Sequence, residues 1–140
     1  MPTDDPRQTE LLAKIREGVD SALEVVGAID RGLLECAKRL RVEPTDATFA
    51  ALSAGISNLG DLVELVREIR NGAGRLASNP VPAEAFASLE QSLPLFREMQ
   101  GAMEGKDWIT LADLIQYELS PRLGEGVKDL AVLRERLSRL

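Results

Sequence analysis

Apolar side chains recur at Leu12, Ile15, Val19, Ala22, Val26, Ile29, Leu33, Cys36 and Leu40. The steps alternate three and four without a miss, which is the a/d seam of a heptad pattern. This predicts one helix over residues 6–41, about 50 Å long at ~1.5 Å rise per residue. Asp5 and Pro6 suit an N-cap and a first helical position. Glu10 with Lys14 and Glu35 with Arg39 supply i,i+4 charge pairs. Pro44, in "RVEPTD", forbids a continuous helix. A second seam then runs Phe49, Leu52, Ile56, Leu59, Val63 and Val66, predicting a helix over residues 45–72. So short a connection between two long helices implies an antiparallel hairpin.

"NGAGRLASNPVP", residues 71–82, reads as the one loop of any length, with Asn71-Gly72 able to cap the second helix. A third helix over 83–104 carries Phe86, Leu89, Leu93 and Phe96, and Pro94 inside it calls for a kink or a restart. "EGKD" closes that element, and Asp107 can cap a fourth helix over 107–138, which Pro121 should bend. The expected fold is all-α: one domain over residues 1–140, an antiparallel bundle of about four helices. Two hairpins that dimerise to complete a bundle would satisfy the same pattern.

Composition narrows the function classes. Aromatic residues make up only 4% of the chain, so aliphatic side chains must fill the core, which suits helix-on-helix packing. A formal charge of −6 without a basic run argues against nucleic acid and against an anionic membrane. No apolar run approaches the roughly 20 residues of a bilayer span. The polar, acidic "MPTDDPRQTE" lacks the features of a signal peptide. With a lone Cys36, the expected location is the cytoplasm. Histidine is absent, which removes Ser-His-Asp triads, Cys-His pairs and His-ligated zinc.

Carboxylates offer one route to chemistry. Glu17, Asp20 and Glu24 are spaced i, i+3, i+7, as are Asp61, Glu64 and Glu68. Facing each other they could hold magnesium for nucleotide hydrolysis, but a bundle metal site must project inward. The heptad register puts all six at outer b and f positions, a solvated face. Cys36 falls at a core d position and packs as a small hydrophobe. Gly72 and Gly74 follow no predicted strand, so they form no phosphate loop.

"DWITLADLIQYELSP", residues 107–121, holds the only Trp and the only Tyr. At 100° per residue Trp108, Leu111, Ala112, Ile115, Leu119 and Leu123 share the bundle face. Thr110, Leu114, Tyr117 and Pro121 gather on another side, and Glu118 can pair with Arg122 between the two. Two readings stay open: a helix covered by two neighbours or by the 71–82 loop, or an exposed patch for a partner. Tyr suits such a patch because it couples a rigid apolar body to a polar tip.

The run "LADLIQYELSPRL" resembles an L-A-D-L-L-x-Y-E-L-x-P-x-L segment of small, uncharacterised helical proteins of Gram-positive-type bacteria, some associated with flagellar or motility gene clusters. The resemblance rests on Asp113, Tyr117, Glu118 and Pro121 and implies a bacterial helical accessory factor without assigned chemistry. The expected function is non-enzymatic protein–protein contact through Thr110, Leu114, Tyr117 and Pro121, with no cofactor and no metal. The alternatives are a magnesium-dependent nucleotide hydrolase, or a structural homo-oligomer such as a homodimer that buries the same patch.

Overall fold

The computed structural model describes residues 6–77 and 81–140. Helix α1 (Pro6–Val42) and helix α2 (Asp46–Ala73) form the long antiparallel hairpin. A 3-10 turn (Ala83–Phe86) leads into the short α3 (Ala87–Glu90), and α4 (Leu93–Glu104) follows. The last long element is α5 (Trp108–Asp113), a π turn (Leu114–Leu119) and α6 (Ser120–Ser138), joined without a break. Among the described residues there is no strand. The all-α bundle expected from the periodicity is what forms.

Eight of the nine seam residues of α1 are buried, from Ile15 to Leu40, and Leu12, nearer the start of the helix, is half-buried. In α2 the buried stripe is Leu52, Leu59, Leu62, Val63, Val66 and Ile69, while Phe49 and Ile56 lie at its edge. Removing one such Leu or Ile from water stabilises the fold by about 1.5–3 kcal/mol. Thr45 caps α2, accepting from the Thr48 N–H, while the Thr48 hydroxyl accepts from the Thr45 N–H. The proposed N-cap of α1, Asp5, lies outside the described residues.

Helix α1 is the shared wall of the bundle, packing on α2 on one side and on α5 and α6 on the other. Arg16 donates to the Leu137 carbonyl from Nε (3.1 Å) and from Nη2 (2.8 Å), so α1 supplies donors to a carbonyl at the C-terminal end of α6. Asp20 lies 4.0 Å from Arg134 further along, which fixes these two helices as antiparallel.

The third predicted helix is not continuous. Leu93 begins a new helix with Pro94 beside it, where the missing N–H has no intrahelical partner to lose. The restart expected at Pro94 therefore occurs, and α3 is turned to lay Leu89 and Phe86 on α6. Gly126 of α6 permits this: a Cβ there would sit 2.5 Å from Leu89 Cδ2.

By length and hydropathy α2 could cross a membrane, with mean hydropathy 1.3 over its most apolar 18 residues. This differs from the sequence expectation of no such segment. The value comes mainly from the Leu, Val, Ile and Phe side chains of residues 49–66, and the helix folds back on charged α1.

Candidate functional site

The turn before α5 is built from backbone bonds. Asp107 N–H donates to the Ala102 carbonyl (2.9 Å) and Lys106 N–H to the Met103 carbonyl (3.1 Å), closing α4 in a Schellman arrangement. Lys106 takes the left-handed position, φ 55°. Asp107 then caps α5, its carboxylate accepting from the Thr110 N–H (3.2 Å) and the Thr110 hydroxyl (2.6 Å). These bonds hold the Asp107 carboxyl below its ordinary value, the hydroxyl contributing most. Trp108 is pinned by Phe49, the ring centroids 4.9 Å apart.

The helix then widens. Its core seam runs Leu111, Ile115, Leu119 and Leu123, three successive steps of four. In an α-helix each step of four overshoots one turn by about 40°, so the seam would wind off the bundle. The π turn absorbs the drift and returns α6 with Leu123, Gly126, Leu130, Leu133 and Leu137 facing inward. It ends one residue before Ser120-Pro121, where an α-helical proline would clash with the carbonyl four residues back. A π turn thus stands just ahead of Pro121, the position where the sequence called for a bend.

Four residues were singled out here as a contact patch. Three lie at the surface: Thr110, Tyr117, which is 65% exposed, and Pro121. Leu114 does not belong with them. It is only 8% exposed, because the π turn lies between α1 and α4 and both cover it. On this side the helix is covered by two neighbours, and on the Tyr117 side it is open. The Glu118–Arg122 pair does not form, and Arg122 Nη1 is buried without a hydrogen-bond partner among the described residues.

Two residues missed in the sequence complete the surface. Arg41, at the end of α1, reaches Asp113 (Nη2 to Oδ1, 2.7 Å) and donates to Gln116 Oε1 (3.0 Å). Its guanidinium carbon also lies 5.8 Å from the Tyr117 ring centroid, a cation–π contact. No local pattern could reveal this, since Arg41 and Asp113 are 72 positions apart. Ile109, 53% exposed, stands one and two turns before Asp113 and Tyr117, and an apolar residue off the seam was its available signal.

The acidic stripes face outward. Glu17, Asp20, Glu24, Asp61, Glu64 and Glu68 are all exposed, as the register required. No group of three or more His, Cys, Asp or Glu able to hold a metal occurs among the described residues. Cys36 is buried, its thiol 3.9 Å from the Thr48 carbonyl, and burial followed by Glu35 pushes its pKa up.

The fold and this surface together define an all-α bundle with an exposed, arginine-braced tyrosine on a π turn. The chain belongs to the family described as a domain of unknown function, DUF8042, whose family model matches residues 10–125. That match runs from the first turns of α1 through the π turn into α6. No curated protein and no solved structure shows detectable similarity to the chain.

Proposed function

We propose that the chain acts by protein–protein contact, as a bacterial, cytoplasmic, non-enzymatic adaptor or chaperone-like accessory factor. Its docking face is the outer side of α5 and the π turn, with Tyr117 at the centre and Thr110, Ile109 and Pro121 around it. The observation that carries the reading is Tyr117 itself. The chain's only tyrosine projects 65% exposed from a backbone widening while Arg41 braces its ring. A braced aromatic ring loses little conformational freedom on binding and gives a large contact area. π turns inside helices also occur frequently at functional sites. Leu114 supports this face from beneath and is not a contact.

The net charge of −6 disfavours nucleic acid and anionic membranes as partners, and no cofactor enters the reading. The likeness of residues 111–123 to uncharacterised helical proteins, some of them associated with motility gene clusters, directs the first search to that machinery. The test is affinity capture from a native bacterial extract with wild type, Tyr117→Ala and Thr110→Ala/Tyr117→Ala, each checked for helicity. Truncating a central tyrosine at an interface costs about 1–2 kcal/mol or more, a five- to thirtyfold loss of affinity. A protein held by wild type and lost by the folded variants supports the proposal. Identical retention by all three chains overturns it.

A further inference from the structure

Six large apolar side chains are exposed among the described residues, and three of them gather at one end of the bundle. Val42, 86% exposed, closes α1, while Ile109 and Tyr117 project from α5 and the π turn. Arg41 joins Val42 to Tyr117, because it precedes Val42 in the chain and its guanidinium lies over the Tyr117 ring. Ile109 stands two turns before Tyr117. The other three are scattered. Val25 lies midway along α1, and Val132 and Leu140 lie toward the far end, where Arg16 meets Leu137. Single exposed apolar residues are ordinary, whereas a cluster marks an interaction site.

We propose that the partner docks here through a basic segment, its apolar anchors interleaved with Lys or Arg. The inference rests on the docking reading above and adds the chemistry of the occupant. Charge carries it. Glu43 follows Val42 and Glu118 follows Tyr117; both are exposed, and neither enters an ion pair among the described residues. The cations of this end are engaged. Arg41 is held by Asp113 and Gln116, and Lys38 and Arg39 each pair with Glu35 at 3.8 Å. Lys106 remains, with Glu104 and Asp107 close to it in the chain. The charge left for a partner is negative.

Interfaces set opposite potentials against each other, which speeds encounter and fixes register. An acidic segment would be repelled at Glu43 and Glu118. A second copy would fare no better, since an isologous contact brings this patch onto itself and sets like charges together. A basic segment gains on both counts: its Lys or Arg stems cover apolar surface while their heads reach the two carboxylates.

Two fluorescein-labelled synthetic helices with the same Leu stripe, the polar face Lys in one and Glu in the other, test the proposal by anisotropy titration with the full chain. Wild type is expected to bind the Lys helix and not the Glu helix, with an affinity that falls several-fold between about 50 and 300 mM salt. Glu43→Gln/Glu118→Gln should weaken binding by about threefold or more, and so should Val42→Ser and Tyr117→Ala. Glu17→Gln/Glu24→Gln, on the solvated stripe of α1, should leave it unchanged. All the substituted residues are exposed, so none is needed for the core. A wild type that ignores the Lys helix overturns the proposal, as does equal binding of the Glu helix or indifference to the patch variants. An equal loss in Glu17→Gln/Glu24→Gln overturns it too, as diffuse attraction. The docking reading fails separately. A native partner lost with Tyr117→Ala yet indifferent to Glu43→Gln/Glu118→Gln overturns the basic segment alone.

Discussion

Arg41 and Asp113 meet at 2.7 Å, a bond from the end of the first helix to the last residue before the π turn. It ties the tyrosine-bearing segment to the wall of the bundle. Because both side chains are partly exposed, at 30% and 51%, solvent screens the pair and its worth to folding is small. Arg41→Ala should lower stability by less than about 1 kcal/mol in urea titrations. The same change should raise the mobility of the Tyr117 ring, read as a fall in fluorescence anisotropy. A loss well above 1 kcal/mol would show that the arginine holds the fold rather than the ring.

Two glycines two residues apart should respond in opposite directions. At Gly126 a new Cβ meets Leu89 Cδ2 at 2.5 Å and Cγ at 2.7 Å, whereas at Gly124 it meets nothing within 4 Å. Gly126→Ala should destabilise by about 1–3 kcal/mol, the usual cost of overpacking. Gly124→Ala should stabilise by up to about 1 kcal/mol through helix propensity. Thermal unfolding of the two variants side by side decides this. Equal shifts would mean that α3 is not seated on α6 as described.

Lys106 occupies the left-handed position of the α4 end, with Gly105 one residue too early to serve. Lys106→Gly should therefore raise stability by about 0.5–1 kcal/mol in denaturant titration. The next residue adds a pH dependence. Asp107 is held below its ordinary 3.8 by bonds from Thr110. Its contribution is present above that ordinary value and is lost as pH falls through the lower folded one. Thr110→Val should remove that acid-side loss, as followed by helicity between pH 5 and about 2.

Cys36 should be unreactive in the folded chain. At pH 8 a colourimetric disulfide reagent should label it more than about a hundredfold slower than a free thiol, at a rate set by unfolding. Its raised pKa also has a consequence for stability. Above the ordinary value of 9.0 the unfolded thiol releases its proton while the folded one retains it. Stability from this group is thus unchanged below that pH and falls as pH rises beyond it. Cys36→Ala should abolish the alkaline decline, and a decline that persists would belong to other groups.

Much of the molecule was legible in the chain because its cause is local and periodic. The unbroken alternation from Leu12 to Leu40 needs only the geometry of a helix to become a buried stripe. The outward placement of Glu17, Asp20, Glu24, Asp61, Glu64 and Glu68 follows from that same stripe. Pro44 and Pro94 end or restart helices by their own stereochemistry.

The surface around Tyr117 was legible only in part. A wheel of 100° per residue grouped Leu114 with Tyr117, because it assumed an α-helix where three consecutive steps of four demand a wider turn. Whether that demand is met depends on α1 and α4 closing over the segment, and α1 lies more than 70 residues away in sequence. Arg41 reached Asp113 for the same reason. Thus the sequence by itself determined the helices, their buried stripes and their breaks, since these follow from spacing and backbone chemistry. Tertiary packing alone decided the π turn, the burial of Leu114 and the bracing of Tyr117. Each of these depends on which distant side chains fill the same space.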